Sequence, residues 1–354
     1  MKNIKTMIAL GLALPLLWAC GSDGGESASS QDKVYTFKVT HEEYADTVPD
    51  LYAKELARRV EEKSNGRIEF EVFQVGQLGV GVDLIDHLLT GATQMAIVSP
   101  GNVATIVPEG QVFALHYLLP TNVKEAYDFL AQSKVANKEL PAIYAEKNLK
   151  LMDLWPLGSS NWLTKEKVQE PTDFEGMAFR TMDTPLIVKN YEAYNANPTP
   201  ISYTDVYSGL QLNMISGAEN PLGALVDMKW YEVQNYLIMS NHIMYLEGVF
   251  INNQYFNKLP EDLQNILSET IDEMHNYAYE LQKKANEKAG ETLAENVEVV
   301  NLTDDQIASF KAEAKTVRSF FKNNMGDRPA KVLEELEAEL NEFNKKRAEA
   351  ADRS

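Results

Sequence analysis

Residues 34–99 repeat one rhythm: an alternating run, a helical run, and then an alternating run again. Residues 34–40 alternate and read as a strand. Pro49 then opens a helix whose Leu51, Leu56, Ala57 and Val60 recur at helical spacing. Asn65-Gly66 closes it, because glycine takes the left-handed backbone that follows a last helical turn. Ile68, Phe70 and Val72 alternate with Glu69 and Glu71 as a second strand with one wet face. Leu84, Ile85, Leu88 and Leu89 give another helix ending at Gly91, and residues 95–99 form a short buried strand. Strands joined through helices lie parallel, since a tight turn serves only antiparallel pairs. The pattern predicts an α/β fold around a largely parallel sheet.

The same pattern runs on. Residues 151–155 and 177–181 read as strands, 203–214 as a helix, and 244–252 as a strand returning to the first sheet. Pro260 opens a long helix through about residue 294, with Ile266, Ile271, Tyr277 and Leu281 on one face. Two helices follow, at 303–322 and 330–350, and the second is so charged that it reads as a solvated surface helix with a frayed end. With 354 residues, 44% of them hydrophobic, the chain can bury one large or two medium cores. No internal repeat occurs, and no linker divides the body in two.

Charge narrows the partners. The net charge is −19, which repels nucleic acid phosphates and anionic lipid headgroups and argues against both. An anionic ligand would have to be captured by a local positive site. Between Arg67 and Arg318 there is a single arginine, Arg180, in the apolar run Phe174-Glu175-Gly176-Met177-Ala178-Phe179-Arg180-Thr181. A guanidinium keeps its charge when buried and needs an anionic partner. Arg180 is therefore half of a structural ion pair or the receptor for an anion from outside.

Residues 1–19 read as a targeting segment: Lys2 and Lys5 precede an apolar stretch, 7–18, too short to span a bilayer. Leu17-Trp18-Ala19-Cys20 resembles a bacterial lipobox, although Trp18 departs from the small residue usual there. Cys20 is the only cysteine, which excludes an internal disulfide and suits lipid attachment. Residues 20–31, rich in Gly, Ser and Ala, read as a flexible tether. The expectation is a body held outside the cytoplasm through a lipid on Cys20.

Several motifs stand in register. Arg180-Thr181 ends a strand; Pro198-Thr199-Pro200 follows; Val206-Tyr207-Ser208-Gly209-Leu210-Gln211 opens a helix; Gly217-Ala218-Glu219-Asn220-Pro221 reads as a turn. Together they resemble the signature region of the solute-binding proteins of TRAP transporters, over residues 34–327. That resemblance implies two discontinuous α/β lobes, 32–157 with 246–285 and 158–245 with 286–354, a ligand cleft between them and a long hinge-spanning helix. It also implies a monomer that captures a small organic acid by its carboxylate and delivers it to membrane permease subunits, with no cofactor and no catalysis.

By the same resemblance, Arg180 makes a two-point pair with the carboxylate, Asn220 is a second contact and Tyr203 sets an aromatic ring against the ligand. Ser99, His41 and Glu42, at strand ends, lend polar contacts from the first lobe. Gln77 matches a turn of the family and reads as structural. Many members carry a second arginine where this chain has Ser160, with Trp162 two residues on and Trp155 nearby. One cation in place of two suggests a monocarboxylate with an apolar or aromatic body over a sugar acid or dicarboxylate.

Other classes find less support. There is no Gly-x-Ser-x-Gly elbow, Walker loop, His-Glu-x-x-His or calcium-loop pattern, so a secreted hydrolase lacks a nucleophile motif. A sensory receptor, reporting to a kinase, is not separable by sequence. His41, His87, His116, His242 and His275 are scattered without ligand spacing and read as structural or surface residues. Glu219 and Asp183 could assist a metal at the carboxylate, but metal-free binding is the expectation.

Overall fold

The structure, a computed structural model, describes residues 33–351. The expected leader (1–19), tether (20–31) and lipid-bearing Cys20 lie outside the described residues. Among the described residues nine strands form one sheet: β1 Tyr35–His41, β2 Ile68–Phe73, β3 Met95–Val98, β4 Leu149–Thr164, β5 Ala178–Thr181, β6 Asn197–Pro200, β7 Gly217–Pro221, β8 Tyr236–Asn252 and β9 Glu298–Asn301. Their order is β2-β1-β3-β8-β4-β7-β5-β6, with β9 beside β8.

The short strands pair in parallel, β1 with β2 and β3, and β5 with β6 and β7, as crossover helices require. The sheet as a whole is mixed, which corrects the expectation of a largely parallel one. β8 is antiparallel to β3 and β4, and β4 is antiparallel to β7. These two strands run far past the apolar cores read at 151–155 and 244–252. The polar stretches Ser159-Ser160-Asn161 and Ser240-Asn241-His242 interrupt their hydrophobic pattern, but most of those residues are buried between the flanking layers.

The long pair also divides the sheet. The last residues of β8 hold β3, whereas its first residues, Tyr236–Met239, hold β9. At that same end Ser160–Thr164 of β4 hold β7. Two halves result: β1–β3 at one end, and β5, β6, β7 and β9 at the other. Each has a core. Phe37, Val39, Tyr52, Leu56, Trp155 and Ile271 pack in the first, and Leu163, Leu210, Leu225, Trp230 and Leu237 in the second. The helix Glu261–Asn296 serves both, setting Leu263–Ala278 into the first core and Leu293 into the second.

Where β4 passes between the halves its ladder slips at Leu151/Asp153, Pro156/Gly158 and Ser160/Trp162. Gly158 sits at φ +135°, and a Cβ there would meet Asn286 Nδ2 at 2.9 Å, the amide that donates to Leu157 O at 3.0 Å. Glycine is required at this crossing.

Three local readings change. The turn expected at 217–221 is β7, paired on both sides. The helix expected over 203–214 is a 3₁₀ turn, Tyr203–Asp205, followed by a short helix, Val206–Gln211. The last helix, Asp327–Ala351, is no solvated rod: Val332, Leu333, Leu336, Leu340 and Phe343 recur at helical spacing and are buried.

Candidate functional site

In parallel α/β sheets the carboxyl ends of the strands face a crevice, because the crossovers leave it open there. The structure has a cavity of about 380 Å³ at such a place. Glu42 and Glu43 follow β1, Ser99 follows β3, Arg180 lies near the end of β5, Ser202 and Tyr203 follow β6, and Glu219 and Asn220 lie near the end of β7. Ser160 of β4 and Tyr245 of β8 complete the polar wall. Apolar side chains, among them Val80, Phe113, Met182, Ile187 and Ile201, supply the rest.

Arg180 is 5% exposed. Its Nε donates to Ile201 O at 3.1 Å, and its guanidinium lies 6.0 Å from the centre of the Trp230 ring. Among the described residues no carboxylate comes within 4.0 Å of it, so no structural ion pair consumes its charge. Burial pulls its pKa below the usual guanidinium range, opposed by Tyr245, Glu219, Tyr203 and Glu42. The group nonetheless keeps its proton.

The wall after β1 is opposite in sign. Glu42 accepts from Ser99 N–H at 2.9 Å and from the Asn102 amide. Burial still pushes its carboxyl up to about 7, against the pull of those two donors and of Arg180. Glu43 accepts from Tyr203 Oη at 3.1 Å, and burial, reinforced by Asp227 and Glu42, lifts it to about 8. Behind them Glu247 is 2% exposed with its Oε1 unpartnered, and burial beside Glu42 and Glu43 raises it well above the carboxylate range. A carboxyl cluster of this kind stays partly protonated until a cation joins it.

Six of the eight residues expected from sequence, Arg180, Asn220, Tyr203, Ser160, Ser99 and Glu42, line this one cavity. His41 and Trp162 do not. His41 is fully buried, 3.4 Å from Asp50, and its Nδ1 accepts from Glu43 N–H at 3.3 Å. Trp162 is also fully buried; its Nε1 donates to Tyr191 Oη at 2.9 Å and its ring stacks 4.7 Å from His242. Residues two apart on a strand share a face, so Ser160 on the wall ought to bring Trp162 with it. The ladder slip between them breaks that alternation. Trp155 stacks on Tyr52 in the first core and is likewise off the wall. Glu43, Tyr245 and Asn102 were missed. The doublet Glu42-Glu43 was the available signal for one of them, and Tyr245 and Asn102 carried none.

Glu219 joins the cavity to a second polar group. His242 Nε2 and Tyr191 Oη both engage its Oε2, and Tyr191 Oη lies 3.3 Å from His242 Nε2. The His116 ring is centred 4.6 Å from that of His242, although the two residues are far apart in sequence. Burial and His242 hold His116 well below its usual pKa.

A single mixed sheet divided by two long strands, one helix spanning both cores and a charged cleft at the strand ends define a two-lobed solute receptor. The family described as bacterial extracellular solute-binding protein, family 7, matches residues 39–324, and the chain belongs to it. Relatives include the ectoine-binding periplasmic protein TeaA of Halomonas elongata, 30% identical over 307 residues, covering 86% of this chain and 89% of that one. The ectoine/5-hydroxyectoine-binding periplasmic protein UehA of Ruegeria pomeroyi is 31% identical over 317 residues, covering 89% and 93%. A high-resolution structure of the Halomonas elongata protein, from the TeaABC TRAP transporter, superposes with a TM-score of 0.84 over 87% of this chain and 99% of that chain. The chain is thus a TRAP solute-binding receptor for a small organic ligand, working with membrane permease subunits, and not an enzyme. No helix among its described residues is long and apolar enough to cross a membrane.

Proposed function

We propose that the cavity takes a small zwitterion with one carboxylate and one cationic centre, and that the receptor closes on it and presents it to the permease. The carrying observation is the pairing, in one cavity, of a single unpaired guanidinium with the carboxyls of Glu42 and Glu43. Arg180 and Asn220 receive the carboxylate: the planar fork matches two oxygens, and the amide adds a donor. Glu42 and Glu43, backed by Glu247, receive the cation.

This keeps the monocarboxylate expected from sequence but replaces its apolar or aromatic body. Neither tryptophan expected to flank such a body lines the cavity. A second anionic group on the ligand, as in a dicarboxylate, would meet the glutamates instead of a cation. Ectoine, the ligand named for both relatives, is a cyclic amidine bearing one carboxylate and fits this description. Closure would move lobe 32–157 with 246–285 against lobe 158–245 with 286–354 about the crossing near Gly158.

The test is calorimetric titration with ectoine and with succinate. Ectoine is expected to bind tightly and succinate not at all; the reverse order would overturn the reading. Attachment outside the cytoplasm through a lipid on Cys20 is a separate proposal resting on Leu17-Trp18-Ala19-Cys20. Release of Cys20→Ser from membranes that retain the wild type would support it, and equal retention would refute it.

A further inference from the structure

We propose that His116, His242 and Glu219 form a site for a divalent transition-metal ion, zinc foremost, in the core behind the solute cavity. One ligand atom from each of the three side chains lies within 4.8 Å of the others. A tetrahedral ion bound at about 2.1 Å requires donor atoms about 3.4 Å apart, so the widest separation would have to shorten and the direct His242–Glu219 contact to open. Two imidazoles and a carboxylate suit zinc and its first-row neighbours better than magnesium or calcium.

The surroundings match what such an ion needs. His116 Nδ1 is 2.7 Å from Tyr194 Oη, and His242 Nδ1 is 2.7 Å from Ser240 Oγ. With each ring anchored through Nδ1, Nε2 is the nitrogen left on each for a metal. His116 Nε2 is buried and has no hydrogen-bond partner, an orphan that a metal would satisfy. Uptake would replace the proton now shared by His242 Nε2 and Glu219 Oε2. Tyr191 Oη, which donates to Glu219 and accepts from Trp162 Nε1, borders the site 3.3 Å from His242 Nε2. Because Glu219 also lines the solute cavity, an ion could enter from there and would then fix Glu219 beside Arg180 and Asn220.

The whole protein, stripped with a chelator, would be titrated with Co²⁺ and its visible d–d absorption followed. The expected result is one tight equivalent with tetrahedral intensity in the wild type, and its loss in His116→Phe, which keeps a ring of similar size. Absence of tight uptake by the wild type, or unchanged uptake by folded His116→Phe, would overturn the site. Should that variant not fold, anomalous diffraction from Zn²⁺-soaked wild-type crystals decides. A peak between His116, His242 and Glu219 supports the proposal, and peaks at the surface alone, or none, refute it. Solute binding can persist in either case, so the outcome is independent of the ligand assignment above.

Discussion

The two walls of the cavity are built from the same kind of structure and carry opposite charge. On one side, residues that follow β1 place Glu42 and Glu43 over buried Glu247. On the other, β5 and β7 place Arg180 and Asn220. Both use the carboxyl ends of parallel strands, where side chains project into a crevice. The acidic wall responds to its environment by holding protons, because carboxyls can neutralise at modest cost. The arginine has no such escape and keeps its charge. Under the proposed function, a ligand that binds here supplies a fixed anion at one end and gains from a cation at the other.

Several changes would break or sharpen that contrast. The largest effect is expected from Arg180→Lys, which keeps the charge but loses the two-point fork. Affinity should fall about 100-fold, the upper range for a charge-assisted hydrogen bond, as read by calorimetry. Next comes the double change Glu42→Gln with Glu43→Gln. Zwitterion affinity should fall about 10-fold or more, while a plain carboxylate such as cyclohexanecarboxylate should bind better as repulsion is removed.

The pH profile offers a smaller but signed test. Ionised Glu42 and Glu43 attract a cation, so affinity for a zwitterion should rise as pH passes from about 7 to about 8, while affinity for a plain acid should fall. Ligand-free stability runs the other way. A carboxyl with a folded pKa above its unfolded one makes the folded chain hold more protons, so stability falls as pH rises from the usual carboxylate value near 4.5 toward about 8. Denaturant melts at several pH values measure that slope, which should become shallower in the double variant and keep the part due to Glu247.

Asn220→Ala removes one hydrogen bond to the ligand carboxylate and should weaken binding about 10-fold. Tyr203→Phe should do least. It removes the hydroxyl that Glu43 accepts, which raises that carboxyl further and shifts the upper edge of the pH profile with little change in affinity at high pH.

What the sequence disclosed follows from these same particulars. The α/β alternation, the lone Arg180 and the Glu219-Asn220-Pro221 signal are local patterns, and they placed the fold class and the positive wall. Two kinds of information were not local. One is the antiparallel course of β4 and β8: their polar central residues hide long buried strands, and only the packed sheet shows them. The other is the effect of bulges, which separate Trp162 from Ser160 and send the ring into the core. The acidic wall was half visible, as the Glu42-Glu43 doublet, yet Glu247 joins it only through the return of β8. His116 and His242 likewise meet only in space, which explains why their spacing in sequence suggested no ligand set.

The central claim is that this cavity reads both ends of its ligand. The direct measurement is isothermal titration of the purified protein at about pH 8 with ectoine and with cyclohexanecarboxylate, which shares the ring and carboxylate but lacks the cation. The account predicts ectoine binding roughly 100-fold tighter, in line with a further charge-assisted contact at the glutamate wall. Equal affinity, or preference for the plain acid, would contradict it.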